Sequence, residues 1–420
     1  MQSIMRDILK VLLLVIACAL WACSEKDMVS GELGGDTEGE AGYREDPDAS
    51  LDGYFEGEGA GGAGNGNENS QAGKITAGEW RDLDHWDFWS KLMTVPQADQ
   101  SGVDYAAYCE YWGLYTNNRV AVRVTNNEGV AQRDVPVQLV TADSKNLYQG
   151  RTDNRGEVNL WIGLTQRQEQ IDTASLKLIV NGVQQEAAVA VTGWGNEVRW
   201  NECKASVTAT TDIDIAFIVD ATGSMGDEIE FLKKDMTDII GKASTLNASA
   251  QIRTAALFYR DEDGDEYVTR VNNFSSDLSA TQAFIDAQSA DGGGDFPEAV
   301  HIALETGLQQ LSWREGNSIR LAFMLLDAPP HKKAPVLESL HQTIPMYAQR
   351  GIRIIPVAAS GIDKPTEFFL RSTAIATDAT YVFITNDSGI GGEHIQASVG
   401  DYEVELLNDL LVRLIKQYME

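Results

Sequence analysis

The chain has 420 residues and a formal charge of −30, with 63 acids against 33 lysines and arginines. That length leaves room for two or three domains. The charge argues against nucleic acid as a partner and against electrostatic docking on anionic lipid, since either surface repels an acidic chain.

Arg6 and Lys10 precede the apolar run "VLLLVIACALWA" (Val11 to Ala22), and "CSEKD" begins a polar stretch at Cys23. A bilayer span needs about 20 residues, so this shorter run reads as a cleaved signal peptide, residues 1–22. Cys23 after "LWA" resembles the lipobox of bacterial lipoproteins, whose cysteine becomes the lipidated first residue. The resemblance implies a membrane-anchored lipoprotein of the bacterial cell envelope, at the outer membrane or cell surface. Plain secretion is the alternative. Residues 23–75 read as an acidic, Gly-rich tether, because Ser24 to Gly73 hold thirteen acids, two bases and few aliphatics. Such a segment buries too little apolar surface to offset its ordering entropy, so it is expected to be disordered.

Residues 76–205 are expected to form an aromatic-rich segment followed by a β module. "GEWRDLDHWDFWSKL" carries Trp80, Trp86, Phe88 and Trp89, which read as core packing rather than a binding face. From about residue 118 the pattern has period two. "RVAVRVTN", "VPVQLVTA", "EVNLWIGL", "LKLIVNG" and "AAVAVTG" are separated by "NNEG", "DNRG" and "NG" turns, the pattern of an antiparallel β-sandwich. "RDVPVQLVTADSKNLYQGRTDNRGEVNL" resembles the small immunoglobulin- or carboxypeptidase-regulatory-type modules of exported proteins. Cys109 and Cys203 bracket this module and are expected to form a disulfide, since exported proteins sit where disulfides persist. Two unrelated buried thiols are the alternative.

Residues 206–420 switch to strand–helix alternation. "IDIAFIVD", "SIRLAFMLLD" and "GIRIIPVAAS" are continuous apolar runs, as strands buried on both faces require. "DEIEFLKKDMTDIIGKA" puts Ile229, Leu232, Met236, Ile239 and Ile240 on one helical face. The expected architecture is a doubly wound α/β domain beside a separate β-sandwich domain. "DEDGD" (Asp261 to Asp265) is not a calcium loop, because Gly264 is at the wrong offset and position twelve is Asn272. It reads as a solvated hairpin tip on the same edge of the sheet as the candidate site.

Ligands of open α/β sheets bind at the carboxyl ends of the strands. Asp220 and Asp327 each end an apolar strand, and "DGGGD" delivers Asp295 ahead of a helix. "DATGSM" supplies Thr222 and Ser224 beside Asp220. An all-oxygen, partly hydrated set of this kind suits Mg²⁺, or Ca²⁺ and Mn²⁺, and does not suit Zn²⁺. The alternative for Thr222 or Ser224 is capping of the next helix.

"DATGSM" resembles the Asp-x-Ser/Thr-x-Ser loop of von Willebrand factor A domains, and "LFYRDEDGDEYVTR", "GGGDFPEAVHIAL" and "LLDAPPH" look like bacterial members of that family. The resemblance covers residues 206–420. It implies a metal-ion-dependent adhesion site in which Thr222 and Ser224 coordinate a divalent cation directly. Asp220 and Asp327 would hold its waters, and an acidic residue of a protein partner would complete the shell. Relatives usually place Thr where Asp295 stands. Asp295 is open between a metal ligand and a helix N-cap paired with Glu298 behind Pro297. The implied function is protein binding without catalysis. A metal-dependent hydrolase using the Asp cluster is an alternative, but no Gly-x-Ser-x-Gly or His-Glu-x-x-His motif is present, and His331 reads as a solvated or hydrogen-bonding loop residue. A scaffold with a degenerate metal site is the third reading.

Overall fold

The computed structural model describes residues 73–96, 102–168, 172–208, 211–262 and 265–420. The expected signal peptide, Cys23 and nearly all of the tether lie outside the described residues. Three elements come first: β1 (Thr76–Trp80), α1 (Trp86–Thr94) and α2 (Tyr108–Trp112). Seven short strands follow: β2 (Arg119–Thr125), β3 (Pro136–Thr141), β4 (Asn146–Arg151), β5 (Glu157–Trp161), β6 (Leu176–Val180), β7 (Val183–Gln184) and β8 (Trp200–Lys204). Alternation then begins with β9 (Ile213–Asp220), α3 (Ile229–Ala243), β10 (Ile252–Tyr259), β11 (Thr269–Ser275), α4 (Leu278–Asp286) and α5 (Val300–Gln309). It continues through β12 (Ile319–Leu326), α6 (Ala334–Gln349), β13 (Ile352–Ala358), α7 (Lys364–Ala376), β14 (Tyr381–Ile384), β15 (Glu405–Leu406) and α8 (Leu407–Met419).

The large sheet has the order β11-β10-β9-β12-β13-β14-β1-β15. Its centre, β10 to β14, is parallel, and β9 lies between β10 and β12. Every residue of β9 and β12 is buried, as the unbroken apolar runs require. Ile229, Leu232, Met236, Ile239 and Ile240 of α3 are buried together, each such side chain contributing about 1.5–3 kcal/mol. The sheet is mixed rather than wholly parallel, because β11, β1 and β15 pair antiparallel at its edges. β1 comes from the aromatic-rich segment, far upstream of its partner β14. Gly78 on β1 permits the pairing, since a Cβ there would come within 2.7 Å of the Phe383 ring.

The period-two region forms two small sheets. β4-β3-β6-β7 is antiparallel throughout, whereas in β5-β2-β8 the pair β2–β8 is parallel. "AAVAVTG" makes an isolated bridge, Thr192 to Arg119, rather than a strand. The aromatic segment is core. Trp89 stacks on Phe368 of α7 with ring centroids 5.7 Å apart, and the Trp112 indole donates to the Pro365 carbonyl at 2.8 Å. Beside them Arg371 and Asp82, both buried, form a two-pronged ion pair at 2.6 and 3.0 Å. The described residues accordingly make one compact unit.

The expected Cys109–Cys203 disulfide is not formed, and both cysteines are buried free thiols. Their elements separate them. Cys109, on α2, packs its sulfur 3.7 Å from that of Met93, while Cys203 sits on β8 opposite Val124 of β2. Burial pushes the Cys109 thiol up to about 12 and the Cys203 thiol up to about 11, so neither is a ready nucleophile.

Candidate metal centre

Three parallel strands deliver the site at their carboxyl ends. Asp220 is the last residue of β9, and Asp327 follows the last residue of β12. Asp261 stands two residues beyond β10. The chain then turns through a short 3₁₀ segment, Gly223–Asp227, before α3. Asp220 Oδ1 accepts from the Thr222 amide at 2.9 Å and from the Thr222 hydroxyl at 2.7 Å. Thr222 Oγ1 lies 3.2 Å from Ser224 Oγ, and the Ser224 hydroxyl also supports the Asp327 carboxylate. No side chain caps the 3₁₀ segment or α3. The hydroxyls thus face the acids rather than a helix end.

The glycine-rich loop closes over this turn. The Gly223 amide donates to the Gly292 carbonyl at 3.0 Å. Gly293 has φ +76°, and a Cβ there would come 2.9 Å from Glu298 Oε1 and 3.2 Å from Thr222 Cβ. Only glycine lets the loop backbone approach both. Glu298 is held in turn by its amide, which donates to the Pro329 carbonyl at 2.8 Å, tying this loop to the one that follows β12.

The acids are buried against one another. Asp220 is fully buried, Asp327 is 5% exposed and Glu298 2%. Burial first, and then the charge of neighbouring acids, raises all three above the ordinary carboxylate range. Glu298 is pushed up to about 10, with Asp220, Asp261, Asp327 and Asp265 as the charges acting on it. Asp220 Oδ2, Asp327 Oδ1 and Glu298 Oε2 are buried without a hydrogen-bond partner. Buried carboxylate oxygens are costly unless paired or bound to a cation. Hard, clustered and unpaired, this oxygen set fits a divalent cation.

Of the five residues expected at the site, Asp220, Thr222, Ser224 and Asp327 are brought together. Ser224 is exposed at the mouth and the other three are buried. Asp295 is exposed and groups with Asp261 and His331. Its capping role is overturned, since α5 starts at Val300 with Ala299 as N-cap and no side-chain bond. The buried acid of the second loop is Glu298, three residues on. Glu228 was also unforeseen. It is buried at the head of α3, accepts from the Ser360 amide at 3.1 Å, lies 3.0 Å from His394 Nε2, and adds its charge to those raising Asp327. Asp261, expected in solvent, is buried, and His331, expected as a solvated or hydrogen-bonding loop residue, is a buried hydrogen-bonding one, with Nε2 2.8 Å from Asp261 Oδ1. Acids in "DEIE" and "DFPEA" look like helix-start residues, and no local signal separates them from ligands.

The fold and site define an α/β domain with an acidic, hydroxyl-lined cleft at the carboxyl edge of its sheet. Residues 214–381 match the family profile of the von Willebrand factor A domain. An ariadne-like RING finger protein of Acanthamoeba polyphaga mimivirus is 31% identical over 132 residues, 31% of this chain and 12% of that protein. The alpha-protein kinase vwkA of Dictyostelium discoideum is 29% identical over 126 residues, 30% of this chain and 20% of the kinase. The chain thus matches only a small part of these relatives' lengths. The solved structure of BatB from Bacteroides thetaiotaomicron aligns over 50% of this chain and 97% of its own, with 12% identity and a TM-score of 0.34.

Proposed function

We propose that this chain is an envelope lipoprotein that binds an acidic protein partner through a divalent cation held at Asp220, Thr222, Ser224, Asp327 and Glu298. The observation that carries the reading is the set of three buried, unpartnered carboxylate oxygens behind the exposed Ser224 hydroxyl. A von Willebrand factor A domain is commonly an interaction module, which supports binding rather than catalysis. The cation, Mg²⁺ before Ca²⁺ or Mn²⁺, would supply an electrophile for a partner's carboxylate. Thr222 and Ser224 offer it hydroxyl oxygens, while the three carboxylates offset its charge. The kinase and RING finger activities named for the relatives are not carried over, because so little of those proteins is matched. Lipidation at Cys23 would hold the chain at a membrane, with residues 23–75 as its tether.

The test is capture of partners from envelope extracts by the full chain, in Mg²⁺ and again in chelator, beside the Thr222→Ala/Ser224→Ala variant. The same proteins should be retained in Mg²⁺ and lost both with chelator and with the variant. Equal capture in all three conditions would sink the reading.

A further inference from the structure

Asp261, Asp295 and His331 converge from three separate segments, the end of β10, the loop before α5 and the loop after β12. Each offers one ligand atom, and these atoms lie within 4.8 Å of one another. Asp261 and His331 are 2% and 6% exposed, while Asp295 closes the group from the solvent side. The loops are pinned to one another. The Asp261 amide donates to Asp265 Oδ2 at 3.0 Å, and the Gly293 amide donates to both Asp265 oxygens at 3.1 Å. Asp265 leaves no room for a side chain at Gly292, where a Cβ would lie 1.9 Å from its Oδ1. The two backbones that carry Asp261 and Asp295 are therefore fixed relative to each other.

A buried His–Asp hydrogen bond beside an exposed loop acid would be the plain account of these residues. It leaves one observation without a cause. His301, on the first turn of α5, has a buried Nδ1 without a partner, and the charges around it include Asp261 and His331. Negative charge and an orphaned buried nitrogen meet here, with an imidazole among the donors.

We infer that Asp261, Asp295 and His331 form a second cation site, distinct from the hydroxyl-lined one and selective for a borderline transition metal of the Zn²⁺ or Co²⁺ class. Imidazole favours such ions, whereas Mg²⁺ and Ca²⁺ prefer oxygen alone. Zinc bonds of about 2.0–2.2 Å in a tetrahedral shell set ligand atoms roughly 3.3 Å apart. The 2.8 Å between His331 and Asp261 and the 4.8 Å envelope of the trio bracket that spacing. Sharing Glu298 as a neighbour, the second cation would offset charge that the first site alone leaves uncompensated.

The experiment uses the full chain, stripped of metal, with Zn²⁺ alone as one probe and Mg²⁺ alone as the other. Zn²⁺ should shift the His331 imidazole resonances, assigned by their loss in His331→Asn. Asp295→Asn changes an exposed side chain and should fold normally. It should bind Zn²⁺ at least about tenfold more weakly, since even a partner outside the ligand shell is worth that much, with Mg²⁺ affinity unchanged. The Thr222→Ala/Ser224→Ala variant should keep the Zn²⁺-induced shift of His331. Unmoved His331 resonances, wild-type Zn²⁺ affinity in Asp295→Asn, or loss of the shift in the hydroxyl variant would each overturn a distinct second site.

Discussion

Replacing Glu298 with glutamine keeps the shape of the buried side chain and removes its charge. In the cation-free protein the Glu298 pKa rises from 4.5 to about 10, chiefly through burial and then through Asp220 and Asp261. The folded chain therefore keeps a proton that the unfolded chain has released. Stability is fully present below the unfolded value of 4.5 and is lost progressively up to the folded value of about 10. The loss is about 1.4 kcal/mol per pH unit, so the deficit at pH 7 is about 3 kcal/mol. Glu298→Gln should remove that slope and make the cation-free protein more stable at neutral pH, by roughly 4 °C in melting temperature for a compact unit of about 350 residues. The same change deletes one negative charge facing the cation, so Mg²⁺ should stabilise the variant less than it stabilises the wild type. Thermal melts of both proteins from pH 5 to 9, in chelator and in Mg²⁺, read both effects. Parallel pH slopes in chelator, together with equal Mg²⁺ stabilisation, would refute the assignment of Glu298 to the charged cluster.

Three further outcomes are expected. Cys109 and Cys203 should titrate as two thiols only after unfolding, because both are buried and their pKa values are raised; a cross-linked peptide in non-reducing maps would contradict the structure. Arg371→Leu should cost about 3–5 kcal/mol by leaving Asp82 charged and buried, whereas the double change Asp82→Leu/Arg371→Leu should cost less, as denaturant unfolding of both variants will measure. Cys23→Ser should move the chain from the membrane to the soluble fraction, and unchanged fractionation would remove the lipid anchor from the proposal.

Much of the fold follows from patterns that act over a few residues. Continuous apolar runs such as "IDIAFIVD" and "SIRLAFMLLD" can be stable only as central strands, and the 3.6-residue period of "DEIEFLKKDMTDIIGKA" marks the helix that covers them. Asp220, Thr222, Ser224 and Asp327 were legible for the same reason, since a residue that ends a parallel strand stands at the ligand-binding edge wherever the strand lies. The loop "GGGDFPEA" was different. It offers two acids three residues apart, and only the ties of Glu298 to Pro329 and of Gly223 to Gly292 decide which is buried beside Thr222. Asp261 likewise looks solvated, and His331 stands open between solvent and a hydrogen bond, until the loops that carry them are packed together. Residue spacing cannot reveal that β1 pairs with β14, or that α2 and β8 keep two cysteines unbonded. Strand periodicity and turn chemistry are local properties of the chain, whereas burial, shared charge and the meeting of distant backbones exist only once the sheet and its loops have closed.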